Sequence, residues 1–243
     1  MRSPGWCVLA GLLAGLPAGA QTISLPADRD ATLIESPDGV LANGSGPTLF
    51  AGRTNQSPGG VRRALLHFAL PPLPSDGQGR GTVERAALVL HVVPGNAGPR
   101  EIGAYAVVAD WTEGPSVSGG GVGVPAQPGD VTWLHASYPS EFWPVNGGLF
   151  DGHLLASTTV DGEGVYRLEG PGLTALVAAW LQDPSRNLGI LLAGDETVRQ
   201  TSKALASREN PEAALQPVLE ITVRPRTTGL FPRPGFRSVL SRR

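Results

Sequence analysis

The chain has 243 residues, 41% apolar and 16% charged, with 33 glycines and 23 prolines. Its length suits one large β-sandwich or barrel, and so many turn formers favour short strands over long helices. Cys7 is the single cysteine, which excludes a disulfide framework and a thiolate metal site. Between Gln21 and Val223 there are 21 acidic and 12 basic residues, a net of about −9, so nucleic acid is not an expected partner.

The N-terminus reads as a secretory signal peptide over residues 1–20. Arg2 supplies the positive charge, Trp6 to Leu16 the apolar run, and Ala18-Gly19-Ala20 a small-x-small cleavage site before Gln21. That run falls short of the roughly 20 apolar residues that span a bilayer. Export without a membrane span, to the cell surface or beyond, is therefore expected. From there on, β-rich segments recur at 31–35, 48–52, 62–70, 83–93, 102–109, 131–135, 154–160, 165–168, 188–193, 203–207 and 217–223. Leu66, Phe68 and Leu70 alternate with Leu65 and His67, and Leu88, Leu90 and Val92 repeat the period of two. Two stretches have no period. Residues 114–130 are predicted to be a flexible loop, and 138–152 a loop of aromatics, prolines and glycines. Both lie beside tryptophans, and loops are where binding residues collect.

Further on, Asp161-Gly162 between two β-rich runs predicts a hairpin with a type I′ turn. Leu173, Leu176, Val177, Trp180 and Leu181 fall at helical spacing, bracketed by Pro171-Gly172 and Asp183-Pro184. They predict one short amphipathic helix that buries Trp180. Residues 224–243 hold six arginines and no acid, and read as a disordered basic tail. With neither repeat nor linker, the expected fold is all-β: a jelly-roll-like antiparallel β-sandwich with one short helix, a single domain over 21–223.

Several pieces occur in a telling order: DATL at Asp30–Leu33, LFAGRT at Leu49–Thr54 and RRALLHFAL at Arg62–Leu70. ADWTEG at Ala109–Gly114, DVTW at Asp130–Trp133, NLGILLAGDE at Asn187–Glu196 and SREN at Ser207–Asn210 follow. In order and spacing, though not in any one motif, the chain over 22–223 resembles the DNRLRE-type secreted domain. That β-sandwich family is similar to the carbohydrate-binding modules of bacterial polysaccharide-degrading proteins. The resemblance implies an extracellular domain, non-enzymatic by itself, of a kind that in some members binds acidic polysaccharide.

The residues themselves offer little for catalysis. Asn43 and Pro47 stand where a nucleophile elbow around Ser45 needs glycines, and His67, His91, His135 and His153 are scattered without a metal spacing. A hydrolase or lyase using acids such as Asp110 and Glu113 is the weakest reading. Binding is better supplied. Trp111, Trp133 and Trp143 lie in or beside the long loops and offer flat faces to sugar rings, with Glu113 and Glu141 nearby to accept hydroxyls. Arg53, Arg62 and Arg63 suit uronate or sulfate groups. Candidate ligands for a structural calcium are Asp28, Asp30 and Asn43, or Asp195 with Glu196, residue types that otherwise form turns. Two readings follow: a secreted, non-catalytic module binding extracellular polysaccharide, or a structural or adhesive matrix protein making protein–protein contacts. The first predicts exposed, coplanar tryptophans in a groove. The second predicts buried tryptophans with an exposed edge strand or apolar patch. Neither fixes an oligomeric state.

Overall fold

The computed structural model describes residues 19–71, 81–96 and 98–224. The expected signal peptide, apart from its last two residues, and the basic tail beyond Arg224 lie outside them. In chain order the strands are β1 (Gln21–Pro26), β2 (Arg29–Ile34), β3 (Leu41–Ala42), β4 (Thr48–Arg53), β5 (Val61–His67), β6 (Thr82–Val92) and β7 (Arg100–Ala106). Then come β8 (Val124–Pro125), β9 (His135–Ser137), β10 (Glu141–Phe142), β11 (Ala156–Val160) and β12 (Gly164–Glu169). The helix α1 (Pro171–Gln182) precedes β13 (Ile190–Ala193), β14 (Lys203–Ala206) and β15 (Val218–Arg224).

The strands pair antiparallel and build the expected all-β sandwich. One sheet runs β1-β15-β6, with β12 and the β14-β4 pair also joined to β6. The other runs β2-β5-β13-β7-β11. β4 serves both: Thr48–Ala51 pair with β14, whereas Gly52 and Arg53 pair with β5. The bend falls at Gly52, whose φ is +115° and where a Cβ would lie 2.9 Å from Ser202 Cα, so the corner demands glycine.

The period of two sorts side chains between two apolar layers. Ala64 and Leu66 of β5 point between the sheets, where they meet Leu49, Leu88, Leu90, Ile190, Leu192, Leu205 and Leu219. Each such side chain contributes about 1.5–3 kcal/mol by leaving water. The helix forms where its apolar stripe predicts, and adds Leu173, Val177, Trp180 and Leu181 to this inner core. Pro171 occupies its first turn, where no N–H partner is needed. Leu65 points the other way, with Ala31, Leu33 and Leu191. Over them lies a second apolar layer drawn from the long connection after β7: Val107, Trp111, Val131, Ala136 and Trp143.

Three expectations are corrected. Asp161-Gly162 does not close a hairpin, because β11 pairs with β7 in one sheet and β12 with β6 in the other. The connection crosses between sheets, neither Asp161 nor Gly162 takes a positive φ, and the Lys203 ammonium donates to the Asp161 carbonyl. Residues 131–134 make a tight turn instead of a strand, which begins only at His135: Thr132 Oγ1 accepts the Leu134 and His135 N–H groups at 3.2 and 2.9 Å. Stretch 114–130 is a tied segment. Ser116, Ser118 and Asp130 are buried, the Asp130 carboxylate takes the N–H groups of Ser116 and Gln127, and Asn43 Oδ1 takes that of Ser118.

Candidate functional site

The loop layer decides where each candidate residue goes. Trp111 and Trp143 are only 2% and 4% exposed. Trp111 donates its indole N–H to the Leu188 carbonyl at 3.0 Å, and Trp143 donates to the Thr132 carbonyl at 3.0 Å. Their faces pack on the second apolar layer and are out of a sugar ring's reach. Trp133 is half-buried, with the Arg63 guanidinium 5.1 Å from its ring centroid. The three do not form an exposed groove, because Trp111 and Trp143 are buried and anchor the loop layer to backbone carbonyls, while Trp133 lies against the Arg63 guanidinium.

Two of the three arginines are equally committed. Arg62 is fully buried and donates to the carbonyls of Gly121 and Val61 and to the Gln56 side chain. Burial lowers its guanidinium to a pKa of about 10, still charged at neutral pH. Arg63 grips both Glu196 oxygens, at 2.7 and 2.9 Å, and the Gly147 carbonyl. Arg53 donates to the Glu196 carbonyl. Neither Arg62 nor Arg63 presents an open guanidinium fork to an anionic sugar, and Arg53 is half-buried with its Nη1 engaged.

One polar cluster was not foreseen as a unit. Asp30 from β2, Glu113 from the loop layer and Glu209 after β14 place carboxylate oxygens within 4.8 Å of one another. Arg208 closes a fork on Glu113, Nε to Oε1 at 2.7 Å and Nη2 to Oε2 at 2.9 Å, and its Nε also lies 2.8 Å from Glu209 Oε1. The backbone joins in: Asp30 N–H donates to Glu113 Oε1, and Arg208 N–H to Asp30 Oδ2. Desolvation raises the Asp30 carboxyl well above the ordinary carboxylate range, and does the same more weakly to Glu209. Thus three of the motif pieces quoted above, DATL, ADWTEG and SREN, meet in one network. The pieces are 83 to 178 residues apart, so no local pattern reveals the meeting.

The calcium candidates separate. Asp28 pairs with His67 at 2.6 Å, Asn43 clasps Thr48 O and Ser118 N–H, and only Asp30 joins the carboxylate cluster. Calcium takes six to eight oxygens. In the cluster a guanidinium already covers both Glu113 oxygens, and it supplies the positive charge that an ion would bring. Asp195 caps the N–H groups of Thr197 and Val198, while Glu196 is held by Arg63.

A different aromatic is open to solvent. Phe142 on β10 is 64% exposed. Its ring leans on His135, centroids 4.2 Å apart and tilted by 38°, and Tyr138 meets His135 edge-on at 5.0 Å. His135 is buried and fixed by a 3.0 Å hydrogen bond between Nδ1 and Thr132 Oγ1. Burial holds the imidazole below its usual pKa, so the ring behind Phe142 is neutral at pH 7. Glu141 lies beside it, exposed. The sequence signal for this platform was the aromatic loop 138–152, read for its tryptophan and not its phenylalanine.

Among the described residues, no helix is long and apolar enough to cross a membrane. No protein-family model matches the chain, and no curated protein matches it.

Proposed function

We propose that this is a secreted, non-catalytic module of DNRLRE type that binds extracellular carbohydrate, with Phe142 as its stacking platform. The observation that carries the reading is a solvent-exposed aromatic ring held on a hydrogen-bonded, buried histidine. A pre-ordered ring loses little side-chain entropy when a sugar stacks on it. The non-catalytic part draws support from the acid groups. Both Glu113 oxygens are held by Arg208, and His67 has both ring nitrogens engaged, by Asp28 and the Asn187 carbonyl. The test is affinity electrophoresis of residues 21–243 through gels containing neutral or acidic polysaccharides. Retardation by one class, lost in Phe142→Ala at unchanged Tm, supports the reading. Free migration in every gel overturns it.

The matrix-protein reading keeps one specific support, the burial of Trp111 and Trp143 alongside an edge strand, β1, that pairs on one side only among the described residues. It predicts concentration-dependent assembly in light scattering, where the binding-module reading predicts none.

A further inference from the structure

Charge does not balance in the Asp30–Glu113–Glu209 cluster if every carboxyl is ionised. Three carboxylates then face one guanidinium, Arg208, because Arg29 is turned to the Trp111 carbonyl and to Asp110. On the neighbouring strand, β5 places apolar Leu66 opposite Asp30 in register, and the adjacent His67 is paired with Asp28. Like charges crowded in a buried site disfavour full ionisation.

The hydrogen bonds show the same gap. Asp30 is fully buried, and its Oδ2 accepts the Arg208 N–H at 2.6 Å, but its Oδ1 has no donor. Glu209 Oε1 faces Arg208 Nε at 2.8 Å, while Oε2 is likewise buried without a donor. The Asp30 and Glu209 side chains are in hydrogen-bonding contact. Two carboxylates offer acceptors only, so such contact needs a proton on one of them. Burial raises both carboxyls, Asp30 the more, and so places the proton on Asp30.

We propose that Asp30 Oδ1 holds a proton that it donates to Glu209 Oε2, and that this bond is a pH-sensitive latch on the loop layer. Glu209 follows Arg208, whose fork grips Glu113, so one proton joins β2, the loop layer and the segment after β14. When the layer opens, Asp30 meets water and ionises in the ordinary range near 4. The latch is therefore strongest in acid and weakens as pH rises towards the value at which the buried pair ionises. It stands apart from whatever the Phe142 platform binds.

Carbon NMR of Asp30 Cγ and Glu209 Cδ in residues 21–243, read alongside hydrogen exchange over 107–150, tests the latch. The expected result is one carboxyl of the pair still protonated at pH 7 and the other ionised. Protection of 107–150, corrected for intrinsic exchange rates, falls about ten-fold per pH unit from about pH 5 up to the ionisation of the pair, then levels off. Asp30→Asn, whose amide donates the same bond without titrating, removes that slope. Ionisation of both carboxyls near pH 4 in the folded protein overturns the proposal. So does a flat protection profile in the wild type, or a slope that persists in Asp30→Asn. A rise in Tm with millimolar calcium also overturns it, because an ion then takes the place of the proton.

Discussion

The two apolar layers are held by different physics. Between the sheets, Leu66, Leu88, Leu192 and Leu219 pack with α1, and Trp180 fills the space with 1% exposure. On the far side of the β2-β5-β13-β7 sheet, little regular structure is available, and the layer is assembled from loop. There the apolar residues Trp111, Val131 and Trp143 are fixed by polar ties: indole N–H to carbonyl, Asp130 to backbone, and Glu113 to Arg208. The comparison teaches that a long connection without periodicity becomes a rigid layer when its buried backbone finds side-chain partners. It also explains why the tryptophans that looked like binding residues are anchors.

The largest effect expected is Trp180→Ala, which removes the biggest side chain of the inner core and costs about 3–5 kcal/mol in chemical denaturation. A cost below about 1 kcal/mol would mean that the helix is not part of the core. Glu113→Gln sharpens the contrast by loosening only the loop layer. With Glu113 and Arg208 partly exposed, the cost is about 1–2 kcal/mol after solvent screening. Limited proteolysis should then cut within 107–150 before the sheets. Simultaneous cutting everywhere would argue that the layers are one unit.

Proton linkage gives the next effect. The folded-state pKa values of Asp30 and Glu209 are raised, so the folded protein binds more protons than the unfolded chain. Their contribution is fully present below the ordinary values near 4 and is lost as pH rises through the raised values. Asp30→Asn cannot lose that proton. Its Tm relative to wild type should therefore be higher at pH 7.5 than at pH 4.5, and the reverse order would contradict the account. Smallest of all, millimolar calcium or EDTA should leave the Tm unchanged, since Arg208 supplies the cluster's positive charge. A clear rise with calcium would show that an ion occupies it.

Much of the inner layer was legible beforehand. The alternation at Leu65–Leu66, the helical stripe ending at Leu181 and the all-β class all follow from period alone. The hairpin at Asp161-Gly162 misled because a turn signal says nothing about which sheet each arm joins. That choice is made by pairing with β6 and β7, 52 to 82 residues upstream in the chain. The loop layer was illegible for a related reason. Asp130 with Ser116, Asn43 with Ser118, and Glu113 with Arg208 are partners set by tertiary proximity, and aperiodic sequence hides them.

Hydrogen exchange over residues 107–150 tests the central claim most directly, because it asks whether this stretch is a folded layer. The amides of Thr112, Ser116, Ser118, Gln127, Trp143 and Gly147 all have partners, and the account predicts protection approaching that of the strands beneath. Complete exchange of these peptides within seconds, while β5 and β13 remain protected, would contradict it.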